Sequence, residues 1–361
     1  MANLVLHLGD SRTGSTSIQA ALSGSRPLLA QNGVLYPETG IHYKSHHLFA
    51  KAIHGGSGIA PEIAHAPTFT LLLEQLRNEI QRSNCETVVM SSDLFSKIFK
   101  PGYSAGAEVR LEQLFSVFRE VRVILFVRHQ ALTRESAYRF FVMWPERSHT
   151  GDFRDPVTLD QTGEMQKKPT ENRDEVSSFK RMKNHSQDPL GVECSYLSVR
   201  PDLDFQYVSF HEAKSNGLLV KTFFDRAGIS SCYSGEVKTN DSLSRQGTLA
   251  VLMWNRGLVP ATMRRDEFVD WARLTFPEKY ESLYNEEYFS QLSQQYMVNN
   301  EKLLERTGIA LNHELDEFME RSTLCGSDLT PEFQERVLAL HRVLPRSWKQ
   351  RMRKYIPFLS G

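Results

Sequence analysis

Apolar residues are arranged in two regimes along this chain. Short unbroken runs alternate with longer stretches in which apolar side chains recur every three or four positions. The runs lie at 3–8, 33–36, 87–92, 121–127 and 206–210 and have strand length. The fourth, Val-Arg-Val-Ile-Leu-Phe-Val, is too apolar for a surface strand and suits one buried on both faces. Between the runs, helical spacing predicts helices near 15–24, 68–83, 108–118, 131–143 and 215–227, the last stopping at Gly228. This alternation builds a parallel sheet with right-handed crossovers and helices on its faces. The fold class is therefore α/β, and ligands of such a sheet sit at the carboxyl ends of its strands.

Residues 145–204 are polar, contain Gln161-Thr162-Gly163 and Gln166-Lys167-Lys168-Pro169, and sustain no period. They read as a long insertion, a substrate lid over the mouth of the site. From about 263 onward the spacing is helical again, with Phe268, Trp271, Ala272 and Leu274, then Phe289, Leu292, Tyr296, Leu303 and Leu304 as apolar stripes. The expected organisation is an α/β core over 1–143, an insertion over 144–205, the remainder of the core over 206–261 and a helical C-terminal region over 262–361.

Charge sharpens the picture. The 361 residues carry 43 basic and 43 acidic side chains, so no global field draws the chain to nucleic acid, and any anion site is local. After the last acid, Glu335, come Arg336, Arg342, Arg346, Lys349, Arg351, Arg353 and Lys354 with Trp348, Tyr355 and Phe358 among them. That tail is either a solvated amphipathic helix or a contact for an anionic membrane surface or acidic glycan. No apolar stretch has membrane-spanning length, and Asn3-Leu4 enters a core strand without a leader pattern. Cys85, Cys194, Cys232 and Cys325 are scattered, without the spacing of a zinc knuckle or disulfide framework. A reducing cytoplasm is the expected compartment.

The chemistry-bearing segment follows the first strand, where Gly9-Asp10-Ser11-Arg12-Thr13-Gly14-Ser15-Thr16-Ser17 opens a helix. Amides at a helix start have no intrahelical partner and carry the positive end of the dipole, so they cradle an anion. The frame from Gly9 to Thr16 is that of a nucleotide-binding P-loop, except that Ser15 stands where such a loop needs lysine. A nucleoside triphosphatase is disfavoured on that ground. Beyond the fourth strand come Arg128-His129-Gln130 and a helix with Arg134, Ser136, Ala137, Tyr138 and Phe141. A guanidinium grips phosphate bidentately, and a hydroxyl adds one more bond.

These two segments together resemble the P-loop-like sulfotransferase superfamily, most closely its bacterial branch. The first resembles the 5′-phosphosulfate loop, usually Lys-[ST]-Gly-[ST]-[ST], with Arg12 in the place of lysine. The second resembles the 3′-phosphate motif, with Arg128 and Ser136 at its arginine and serine. Gly33 to Pro37, Val88 to Asp93, Phe210 to Ile229 and Asn240 to Ser244 are weaker matches. The resemblance implies that Ser11, Arg12, Thr13, Gly14, Ser15, Thr16, Ser17, Arg128 and Ser136 bind 3′-phosphoadenosine 5′-phosphosulfate (PAPS) as co-substrate, with no metal. The acceptor is then a hydroxyl on a sugar, glycan or small metabolite.

Sulfuryl transfer needs a held donor, charge stabilisation on the leaving phosphate and a base for the acceptor hydroxyl. Arg12 with the loop amides meets the second need. For the base, His47 is the first choice and His46 the second, in His42-Tyr43-Lys44-Ser45-His46-His47, because imidazole titrates near neutrality. Asp93 is an alternative base, an orienting partner for the histidine, or a helix N-cap. His42, His46 and His54 also form a conceivable transition-metal set. Two rival functions stay open: a P-loop-like kinase or phosphotransferase using ATP and Mg²⁺, and a non-catalytic relative that binds nucleotide or glycan.

Overall fold

The computed structural model describes residues 1–10, 12–55, 67–99, 106–143, 188–237, 242–261, 263–278, 281–326 and 328–342. Residues 144–187 of the lid expected over 144–205, Ser11, Asn240, Asp241 and the basic tail from 343 lie outside the described residues. In chain order the first elements are β1 (Asn3–Leu8), α1 (Ser15–Gly24), α2 (Arg26–Gln31), β2 (Val34–Leu35), α3 (His47–His54) and α4 (Phe69–Ser83). Next come β3 (Thr87–Ser92), α5 (Ala107–Phe115), β4 (Val121–Val127), α6 (Gln130–Met143), α7 (Pro189–Val199), β5 (Asp204–Ser209), α8 (Phe210–Ser215) and α9 (Leu219–Arg226). Strands β1 to β5 form one five-stranded sheet in the order β2-β3-β1-β4-β5. Every pairing is parallel.

The two-residue period of the strands sorts their side chains into two cores. Leu4, Leu6 and Leu8 of β1 join Val88, Met90, Val123 and Leu125 on one face, under residues of α3, α4, α5 and α7. Val5, Val89, Ile124, Phe126 and Val208 face the other way, toward α1, α2 and α9. Burial on both faces explains why β4 reads as a continuous apolar run. Strand order reverses at β1, since β3 pairs on one side of it and β4 on the other. The loops after β1 and β4 therefore open at a switch point, the usual place for a ligand crevice in a parallel sheet.

Two local departures from the sequence pattern have physical causes. The helix expected over 215–227 is the shorter α9, and a separate α8 ends at Ser215, because Gly217 adopts φ 66° and turns the chain between them. Within the stretch expected to be irregular, α7 forms from Pro189, which is favourable at a first helical position. Gly191, Cys194, Ser195 and Ser198 blur its period. Its buried Tyr196 anchors it, donating a hydrogen bond to the Phe95 carbonyl at 2.9 Å.

The remaining helices are α10 (Arg245–Asn255), α11 (Arg265–Thr275), α12 (Glu286–Thr307), α13 (Leu311–Arg321) and α14 (Pro331–Arg342). Two compact units result. The sheet unit comprises the described residues up to Thr133, those of 188–237, and Gln294–Asp316. The helical unit takes Arg134 to Met143, 242–293 and 317–342. Its core stacks Trp254 on Phe268 at 4.5 Å, with Trp271 and His341 against the same ring. Buried Glu135 pairs with Arg139 and accepts from Ser282 Oγ at 3.0 Å and Leu283 N at 2.9 Å. Among the described residues no helix is long and apolar enough to cross a membrane.

Candidate functional site

The loop after β1 is pinned at both ends. Gly9 N donates to the Ser92 carbonyl at 3.2 Å, which ties the end of β1 to the end of β3. Ser96 Oγ donates to the carbonyls of Gly9 (3.1 Å) and Asp93 (3.0 Å). A Cβ at Gly9 would lie 2.6 Å from Ser15 Cβ and 3.2 Å from Asp93 Cα, so only glycine lets the three segments converge. Thr13 Oγ1 donates to the Asp10 carbonyl at 2.8 Å, closing a tight turn around Arg12.

Arg12 and Gly14 both take left-handed backbone, with φ 69° and 80°. Alternating backbone hands of this kind turn successive N–H groups toward one concavity, an anion-binding nest. Gly14 caps α1 with no side-chain bond, and its carbonyl accepts from Ser17 N and Ile18 N. The earliest amides of α1 thus face outward at the positive end of the helix dipole. A Cβ on Gly14 would also stand 2.3 Å from Leu219 Cδ2 and 3.2 Å from Phe210 Cε2. Gly14→Ala is accordingly expected to destabilise the chain by about 1–2 kcal/mol through the left-handed strain. A urea titration checks this, and an unchanged midpoint would show that the loop is not fixed in this conformation.

Positive charge gathers where β4 and β5 end beside this nest. Arg128 Nη1 donates to the Arg12 carbonyl at 3.4 Å, and its Cζ lies 5.2 Å from the centre of the Phe210 ring. Lys214 Nζ approaches the same ring at 5.5 Å. Burial and the neighbouring Arg128 push the Arg12 guanidinium down to about 10, still protonated at neutral pH. Two like charges held together in a part-buried place favour a bound anion. One carboxylate partly offsets them: buried Glu314 lies 3.6 Å from Arg128 Nε and 4.0 Å from His211 Nδ1, and accepts from His129 N at 2.8 Å. Burial raises its pKa above the ordinary carboxylate range.

On the β3 side, consecutive histidines have different surroundings. His46 is fully buried: Nδ1 accepts from Ser91 N at 3.1 Å, and Nε2 lies 3.1 Å from the Pro37 carbonyl, to which it donates in the matching tautomer. Burial lowers its pKa to about 3, so the ring is neutral. With both nitrogens engaged by backbone, it has no lone pair for a substrate proton or for a metal shared with His42 and His54. His47 at the start of α3 is half-buried, with Nδ1 2.8 Å from Ser92 Oγ and Nε2 3.6 Å from Asp93 Oδ1. When the proton sits on Nδ1 and points at Ser92, the lone pair is on Nε2, on the side of the ring that faces the Asp93 carboxylate.

Arg12, Thr13, Gly14, Ser15, Thr16 and Ser17 thus line one loop, and Asp93 with His47 stands directly across Gly9 from it. Arg128 reaches the same loop from β4. Ser136 lies on α6 among residues of the helical unit and is half-buried; Ser11 lies outside the described residues. Sequence reasoning missed Glu314, Phe210 and Lys214. Glu314 lies 185 residues from its partner His129, a separation no local pattern reveals. Ser92, part of a strand motif, gave no sign that it would orient His47. Among the described residues no three His, Cys, Asp or Glu side chains converge as metal ligands.

No family model matches the chain, and no curated protein does. Among solved structures it is similar to a sulfotransferase from Alicyclobacillus acidocaldarius, at 14% identity and a TM-score of 0.39. The match covers 74% of this chain and 94% of that one.

Proposed function

We propose that this protein is a PAPS-dependent sulfotransferase that moves a sulfuryl group to a hydroxyl of a sugar or small metabolite. The observation that carries this reading is the convergence of Arg128 on the turn that holds Arg12, close enough for the two charges to act on each other, with an imidazole–carboxylate pair across Gly9 from that turn. An anion-binding loop of P-loop frame with Ser15 at the lysine position suits a 5′-phosphosulfate better than a triphosphate. Arg128 adds a bidentate grip for a second phosphate, such as the 3′-phosphate of the donor.

In this reading the acceptor oxygen attacks sulfur as its proton passes to His47 Nε2. An O–S bond forms, the sulfur–oxygen bond to the donor phosphate breaks, and the electron pair stays on the phosphate oxygen. Arg12 and the amides of α1 stabilise that developing charge. Asp93 stabilises the imidazolium, and Ser92 keeps the ring's other nitrogen occupied.

The test is thermal. A ligand that binds only the folded form raises apparent stability with its occupancy. Adenosine 3′,5′-bisphosphate is expected to raise the melting temperature more than ATP with Mg²⁺ does, and Arg128→Ala to lose most of that difference. Equal or greater stabilisation by ATP would sink the donor assignment in favour of a phosphotransferase.

A further inference from the structure

Beside the His47–Asp93 pair the chain makes a four-residue turn that breaks two local rules at once. His42 N donates to the Ser45 carbonyl at 2.8 Å and Ser45 N to the His42 carbonyl at 3.3 Å, closing residues 42–45 into a tight loop. Within it Tyr43 takes φ 60°. This left-handed region is readily entered by glycine and asparagine but is unfavourable for a bulky side chain. His42 Nδ1, moreover, is buried without a hydrogen-bond partner. Such a pair of costs persists where surrounding structure enforces it, and it concentrates at functional sites. The turn is indeed fastened from beneath: Tyr36 Oη donates to the Lys44 carbonyl at 2.7 Å, and His46 N to the Ser91 carbonyl at 2.8 Å.

What the strained turn achieves is presentation of an aromatic ring. Tyr43 is 87% exposed, so its ring adds nothing to the core. It stands edge-on to His42 at 4.4 Å between ring centres, and His42 lies 6.4 Å from His47. Imidazole, imidazole and phenol thus run as a row from the proton acceptor out to solvent. We propose that Tyr43 is the platform on which the acceptor rests, and that the acceptor is a saccharide whose apolar C–H face stacks on this ring while one hydroxyl meets His47 Nε2.

The proposal builds on the sulfotransferase reading and narrows its acceptor. A flat aryl alcohol would be held by an enclosed apolar slot that removes both its faces from water. Around His47 stand instead His42, Ser92 and Asp93, and the adjoining turn leaves Tyr43 and Lys44 exposed, a polar rim. A sugar ring suits such a rim, because one apolar face is covered by an aromatic while its hydroxyls stay hydrated or bond to the polar groups.

The experiment measures binding by ligand-observed NMR, with cellobiose, lactose, mannobiose and N,N′-diacetylchitobiose as saccharide probes and 2-naphthol as the aryl probe. All are titrated in the presence of adenosine 3′,5′-bisphosphate. Tyr43→Asn removes the ring while supplying a residue that tolerates positive φ, and Tyr43→Trp enlarges the ring. At least one disaccharide is expected to bind the wild type, about tenfold more weakly to Tyr43→Asn, and within about threefold of wild type to Tyr43→Trp. The platform is overturned if no disaccharide binds, if Tyr43→Asn binds as well as the wild type, or if only 2-naphthol depends on Tyr43. Bisphosphate-induced thermal shifts separate the two readings. A protein that takes up the bisphosphate but no saccharide loses the platform alone, and one that binds saccharide through Tyr43 but no bisphosphate loses the donor assignment alone.

Discussion

Arg12→Ala is expected to cut sulfuryl release from PAPS by about two to three orders of magnitude, the scale of losing one preorganised donor to a developing oxyanion. The backbone at Arg12 is fixed by the tight turn around it, and the guanidinium stays charged at neutral pH, since burial and Arg128 lower its pKa only to about 10. A guanidinium in this role would act by electrostatics alone, since it stays protonated. Arg12→Lys should keep or raise turnover, because a compact ammonium approaches the leaving oxygen closely, although it forfeits the second hydrogen bond of the guanidinium. The measurement is release from PAPS with a panel of hydroxyl acceptors. If the wild type and Arg12→Lys are both inactive while adenosine 3′,5′-bisphosphate still binds, the chain is a non-catalytic relative.

His47→Ala should have an effect of similar or larger size, about two to four orders of magnitude in kcat, because general-base assistance is lost. Melting temperature and bisphosphate binding should hardly change, since His47 is half-buried and stands on the acceptor side of Gly9. The wild-type rate should fall toward acid as Nε2 becomes protonated, and in His47→Ala that acid limb should vanish. Asp93→Asn tests the supporting role: it should lower the rate by roughly tenfold while keeping the limb, the scale of losing an orienting carboxylate. A His47→Ala protein that retains both rate and limb would move the base elsewhere.

Much of this arrangement was legible in the order of residues. β1, β3 and β4 have the bounds expected from their apolar runs, because strands buried on both faces admit few polar residues. The turn from β1 into α1 was legible too, since Gly9 and Gly14 stand where a close approach and a positive φ call for glycine. His47 and Asp93 stood out as titratable groups at strand ends, but their facing each other did not, for that follows from α3 crossing the end of β3. Helix α7 was hidden because Ser, Gly and Cys occupy its turns. The charge balance around Arg128 was beyond local reading, since its carboxylate arrives from α13. Nor does any pattern of polarity announce Tyr43, whose meaning lies in a backbone angle and in exposure.

The late arrival of Glu314 bears on how the protein is made. Arg12 and Arg128 both leave the ribosome well before the segment Gln294–Asp316, yet that segment supplies the carboxylate beside Arg128 and the acceptor for His129 N. It also supplies Asn300, whose Oδ1 accepts from Gln130 Nε2 at 2.8 Å. Until that segment is made, Arg128, His129 and Gln130 lack these partners, and contacts of such long sequence separation close slowly. The final surroundings of Arg128, His129 and Gln130 are thus among the last features this chain acquires.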